Sequence, residues 1–153
     1  NLHISTSSNK VTFRTDNAWF ITRVIDGVYT DVERLIPVTF NTQVFVDRAR
    51  LKEAVDRSSF VKENNIWALN LDFSHGILKL VTEADDVGST YEEVDIRLEG
   101  SEVKLTLNGQ FLTNALNALE DEEISFNLNG SLQALTVSDS TDQVQLLLPI
   151  RTA

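Results

Sequence analysis

The stretch Val103-Lys104-Leu105-Thr106-Leu107-Asn108-Gly109-Gln110-Phe111-Leu112 changes its period in mid-course. The first five residues alternate apolar and polar, the mark of a half-buried strand. Asn108 then offers a short side-chain acceptor, suited to a free backbone N–H at the start of a helix. Phe111, Leu112, Ala115, Leu116 and Leu119 recur at helical spacing and predict one apolar face. Asp121-Glu122-Glu123 closes that helix. Three strands are predicted after it, Ile124–Leu128, Leu132–Ser138 and Val144–Leu148. Asn129-Gly130 predicts a two-residue hairpin between the first two, because both central positions of such a turn need φ > 0.

The same order occurs earlier in the chain. Gln43-Val44-Phe45-Val46 reads as a strand and Asp47 as a helix cap. Leu51, Ala54, Val55 and Ser58 form a helical stripe, with Arg50, Glu53 and Arg57 on another face. Beyond Asn64-Asn65, strands are predicted at Ile66–Phe73, Ile77–Thr82 and Tyr91–Leu98, with Ser74-His75-Gly76 as a hairpin turn. A strand–helix–three-strand unit that occurs twice is an architectural signal. It predicts an α+β domain with two helices packed on antiparallel sheets and a core between. Ahead of it, Leu2–Ser5, Val11–Arg14 and Trp19–Ile25 read as a meander without a helix, as if the tail of another copy. An extended connector follows, since Pro37 disfavours helix at Ile36.

The chain has 153 residues, 13 basic against 23 acidic, a net charge of −10, and no cysteine. That length suits one domain or one domain plus a piece. The absence of cysteine excludes a disulfide scaffold, a thiolate metal site and a cysteine nucleophile. The acidic total argues against a protein whose whole surface binds nucleic acid. The longest apolar run, Leu146–Ile150, is far short of the ~20 residues of a membrane span. The chain opens without Met inside a strand, so a fragment of a longer protein is expected, with a processed mature protein as the alternative.

Motifs for chemistry are lacking. No phosphate-binding glycine loop and no G-x-S-x-G occur. His3 and His75 lie far apart, and His75 reads as an exposed turn residue. The acidic run Glu83–Gly88 fails as a calcium loop, because Val87 and Val94 fall where oxygen ligands are required. It reads as a solvated loop, and nothing pairs Glu92, Glu93 or Asp95 for acid–base work.

Charge is unevenly spread. The segment Asp47–Glu63 holds five bases, Arg48, Arg50, Lys52, Arg57 and Lys62, against four acids, a net of +1. Arg50 and Arg57 are seven apart and nearly in register on one face. Taken alone this is an ordinary solvated face, with an i,i+4 pair such as Glu53–Arg57. At the other end, Pro149 cannot donate to a ladder, so pairing should stop there and leave Ile150 at a surface beside Arg151. Apolar groups exposed next to an arginine suit the docking of a peptide.

Three motifs carry a resemblance to a known family. Arg23-Val24-Ile25-Asp26-Gly27-Val28-Tyr29-Thr30-Asp31-Val32-Glu33-Arg34-Leu35-Ile36-Pro37 is similar to the connector of the bacterial sliding clamp, the beta subunit of DNA polymerase III. Leu51-Lys52-Glu53-Ala54-Val55-Asp56-Arg57-Ser58-Ser59 resembles its L-x-x-A-x-x-R helix, and Leu148-Pro149-Ile150-Arg151 its closing [LM]-P-[VMI]-R. The resemblance runs nearly end to end and implies the DNA-clamp fold. Residues 1–25 would be the end of the middle domain, 26–38 the interdomain connector, and 39–153 the C-terminal domain. It further implies a non-catalytic processivity factor of bacterial cytoplasm, without metal or cofactor. Two such chains join head to tail as a ring around duplex DNA, tethering polymerase and other proteins that carry a clamp-binding peptide motif.

The resemblance also carries over site residues. The peptide pocket would take Thr30, Arg34 and Leu35 from the connector, Asn108 and Phe111 from the second helix, and Leu132 from the hairpin. Leu146, Leu148, Pro149, Ile150 and Arg151 would complete it. Arg50 and Arg57 would face DNA, and Phe60 and Val61 would be the apolar pair that meets a partner chain. The family usually has Pro where Thr30 stands, and its middle-domain wall is absent, so weakened peptide binding and no complete ring are expected. Without the resemblance, the alternative is an acidic, β-rich protein-interaction domain unrelated to DNA. A hydrolase using the Glu/Asp cluster has no motif in its favour.

Overall fold

A computed structural model describes residues 1–62, 66–85 and 87–151. The Asn64-Asn65 break and Asp86 of the acidic run lie outside the described residues. The chain divides into two compact units, Asn1–Glu33 and Arg34–Ala153.

The first unit is an antiparallel meander of β1 (His3–Thr6), β2 (Lys10–Arg14) and β3 (Trp19–Arg23). Ser7 N–H donates to Lys10 C=O at 2.8 Å, and Thr15 N–H to Ala18 C=O at 2.9 Å, closing its two turns. Phe13 and Phe20 face each other in register, with ring centroids 6.0 Å apart. Even so, Ile4, Trp19, Phe20 and Ile21 all remain more than half exposed. The predicted third strand stops two residues early, at Arg23. The connector, expected to be extended, takes one short 3-10 turn at Val32–Leu35 before Pro37.

The second unit contains the predicted repeat. Its first half is β4 (Thr42–Asp47), α1 (Arg48–Ser58), β5 (Ala68–Ser74), β6 (Ile77–Ala84) and β7 (Gly88–Gly100). Its second half is β8 (Val103–Asn108), α2 (Gly109–Ala118), β9 (Glu123–Leu128), β10 (Leu135–Ser138) and β11 (Val144–Leu147). Both caps form as expected. The Asp47 side chain accepts from Arg50 N–H at 2.8 Å and that of Asn108 from Gln110 N–H at 2.9 Å. The eight strands make one antiparallel sheet in the order β11-β10-β9-β4-β7-β6-β5-β8. β4 joins the halves, pairing with β7 of its own repeat and β9 of the other. β8 returns to the first half and pairs with β5. Beyond β11, Ile150 N–H donates to Thr106 C=O of β8 at 2.9 Å. The sheet therefore curls until its two edges approach.

Burial alternates along the strands with the expected period of two. Leu51, Ala54 and Val55 of α1 and Leu112, Ala115 and Leu116 of α2 are buried against the inner sheet residues. Phe73 of the first half meets Phe126 of the second, centroids 5.5 Å apart, so the two halves share one core.

Two local expectations fail. Asn129-Gly130 is not a two-residue turn, because Asn127 pairs with Thr136 and six residues, 129–134, link β9 to β10. Asn129 instead ties down the chain entering β4. Its Oδ1 accepts from Asn41 N–H at 3.0 Å and its Nδ2 donates to Thr39 C=O at 2.8 Å. That local bonding outcompetes the tight turn. Phe111, counted with the buried face of α2, is 59% exposed. It sits about 100° around the helix from Leu112, at the margin of the buried stripe.

Candidate functional site

That margin is where a groove forms. Phe111, Asn114 and Ala115 of α2 lie along one side, and residues 145–150 along the other, around a cavity of about 460 Å³. Leu146, Leu148, Pro149 and Ile150 all line it, and the exposed Leu148 and Phe111 stand at its mouth. The sequence dictates this shape in two steps. β11 ends at Leu147, and Pro149, lacking an N–H, cannot extend the ladder. The chain then crosses to β8, where the Ile150–Thr106 bond holds it.

Ile150 also lines a second cavity, about 510 Å³, with Leu132, Arg151, Ser131 and residues 104–106. Leu132 was expected in a strand. It lies instead in the 129–134 loop, 62% exposed, and the longer loop is what presents it to this cavity. The two cavities meet at Ile150, giving an apolar trough with a basic end at Arg151. No cavity of this kind was legible for Lys104 and Thr106, since only the long-range crossing brings β8 to the C-terminal segment. Asn114 could have been found, one helical turn after Phe111.

Other expected pocket residues are elsewhere. The Asn108 carboxamide is occupied as the cap of α2 and lines neither cavity. Thr30 belongs to the first unit. Arg34 and the half-exposed Leu35 are not among the described residues lining the trough.

On α1, Arg50 and Arg57 are exposed, and both face acids. Arg50 Nη1 lies 3.5 Å from Asp95 Oδ2. Arg57 donates through Nε to Glu92 Oε1 at 3.0 Å and through Nη2 to Oε2 at 2.8 Å, with Glu53 at 3.9 Å one turn back. The Glu92 hydrogen bonds hold the Arg57 guanidinium pKa above its ordinary value. The i,i+4 pair read from sequence is therefore real, but the stronger partner comes from β7. Arg48 takes no part in this face. It bonds the carbonyl of Leu116 in the last turn of α2 and those of Glu120 and Asp121 just past its end.

Phe60 and Val61 do not form an exposed pair. Phe60 is 83% exposed, but Val61 is 7% exposed and packed within its own unit. Both follow the end of α1, where helical spacing no longer governs which side a residue takes. Among the described residues, no group of three or more His, Cys, Asp or Glu is placed to hold a metal. No helix among them is long and apolar enough to cross a membrane.

Comparison with known proteins settles the family. Residues 33–151 match the DNA polymerase III beta subunit, C-terminal domain. The chain belongs to this family. It is 29% identical over 150 residues to the beta sliding clamp of Staphylococcus aureus strain Mu50, covering 95% of this chain and 40% of that one. The clamp of Staphylococcus epidermidis gives the same identity and coverage. Among solved structures, a sliding clamp from Bartonella birtlesii bound to griselimycin superposes with a TM-score of 0.91 at 25% identity, over 99% of this chain and 41% of that one. The Bacillus subtilis clamp gives 0.86 at 26% identity, over 99% and 41%. The clamp-family chain thus spans about 40% of the length of the curated relatives it matches.

Proposed function

We propose that this chain is the C-terminal part of a bacterial, cytoplasmic sliding clamp, and that it binds and tethers without catalysing a reaction. Its trough takes short peptides from the replicative polymerase and other clamp-binding proteins. In the full-length protein, two chains join head to tail around duplex DNA, with α1 toward the duplex. The observation that carries this reading is the trough that converges on Ile150, in a chain of the clamp family. An apolar groove with an arginine at one end suits a peptide with leucine and phenylalanine anchors and an acidic residue. Arg34 and Leu35, of the same unit as the trough, are further peptide contacts in this reading, and Phe60 is the apolar residue offered to a partner chain. The Bartonella birtlesii clamp is bound to griselimycin, which supports a ligand-binding role for this chain.

Fluorescence anisotropy with a labelled peptide of that composition tests it. Ile150→Ala removes half-buried apolar surface shared by both cavities. It should cost about 1–2 kcal/mol, roughly five- to thirtyfold in affinity. Unchanged affinity in Ile150→Ala would remove the trough from the account.

A further inference from the structure

The three arginines of α1 are already engaged. Arg48 is held by the carbonyls beyond α2, Arg50 lies beside Asp95, and Arg57 is gripped by both oxygens of Glu92. The Glu92 pair differs from a casual surface contact in two ways. It is a fork-to-fork pair, which fixes the plane of the guanidinium as well as its place. And its carboxylate comes from beneath the helix, since residue 92 shares the inward face of β7 with buried Val94, and its side chain is only 22% exposed. The Arg57 side chain, by contrast, is 56% exposed, so its far edge is open to solvent.

We propose that Glu92 is a positioning and charge-masking residue for duplex DNA: it holds Arg57 upright on α1 and offsets its charge, so that the helix touches phosphates weakly. The inference rests on the reading of α1 as facing DNA. An arginine reaching a phosphate releases condensed counterions and tightens binding. Glu92 occupies the Nε–Nη2 edge, so a phosphate reaches only the exposed edge and meets a charge already offset by a carboxylate. The result is a shallow contact, repeated without preference along a backbone, as a body that must slide requires.

The test is binding of the 153-residue chain to a labelled DNA duplex over a low-salt series. Glu92→Gln keeps shape but removes the charge. It should tighten binding, up to about eightfold at 0.1 M salt, and steepen the slope of log K on log salt by about 0.9, one phosphate contact. Glu93→Gln changes net charge equally on the opposite face of β7, where that side chain bonds Tyr91, and should shift affinity less than about twofold. Arg57→Gln should weaken binding. If Glu92→Gln binds no tighter than Glu93→Gln while Arg57→Gln still weakens binding, masking is overturned and the reading of α1 survives. If Arg57→Gln and Arg50→Gln also change nothing, or no variant binds, the reading of α1 falls with it. Thermal melting of each variant confirms that the fold is kept.

Discussion

Gly109 opens α2 against the flat of Trp67. A Cβ placed there would lie 2.2 Å from two ring carbons, and Gly109 N–H already donates to Trp67 C=O at 2.9 Å. Helix propensity alone would favour alanine by about 1 kcal/mol. The indole cannot retreat from a buried position, so Gly109→Ala should instead destabilise by about 1–3 kcal/mol in urea unfolding. Stabilisation would mean that Trp67 does not lie on the helix start. Asp139 gives a second prediction. Its carboxylate accepts from the Thr141 hydroxyl first and then from the N–H groups of Glu120 and Thr141, which holds its pKa down to about 2. A carboxylate depressed in the folded state adds stability above its unfolded pKa near 3.8, and that stability fades as pH falls toward 2. Wild type should therefore lose its advantage over Asp139→Asn between those values, as unfolding midpoints at neutral and acid pH would show. Single residues were legible where the chemistry is local, as with the caps Asp47 and Asn108. Phe111 and Val61 were not, because burial at the margin of a helix or just past its end depends on what the sheet places opposite.

Arg48 shows how one element finishes another. α2 carries no basic residue in its last turn to meet its free carbonyls. The guanidinium of Arg48, from the first turn of α1, reaches one of them, that of Leu116, at 3.4 Å, and the carbonyls of the following Glu120 and Asp121 at 3.1 and 2.7 Å. A cation at that end also complements the helix dipole. Arg48→Ala should cost about 1.5–3 kcal/mol and should selectively raise hydrogen exchange in the last turn of α2. Uniform exchange across α2 would contradict the capping role. At this scale the periods were legible: every strand and helix of the repeat occurs in the predicted order, because alternation and helical stripes report burial directly. The links were harder. The 129–134 loop was read as a tight turn, since nothing in Asn129-Gly130 reveals that its side chain is needed at Asn41 and Thr39.

On the scale of the molecule, the two repeats fuse through β4 and share a core, and their curled sheet brings β8 to the C-terminal segment. That closure makes the trough, and no window of sequence contains it. What was legible was the end of β11 at Pro149 and the apolar character of the segment around it. The closing motif named residues that line the trough, while Lys104 and Thr106 enter only through the fold. The net charge of −10 also reads differently on the folded chain. Its three arginines on α1 are held by acids or carbonyls, which puts peptide recognition, and not strong DNA contact, at the centre of its function. The most direct measurement is a backbone amide chemical-shift map of the chain titrated with a leucine- and phenylalanine-bearing peptide. The expected result is shifts confined to Thr106, Phe111, Asn114, Leu132, residues 145–148, Ile150 and Arg151, saturating together. Saturable shifts on other surfaces, with these residues unmoved, would contradict it.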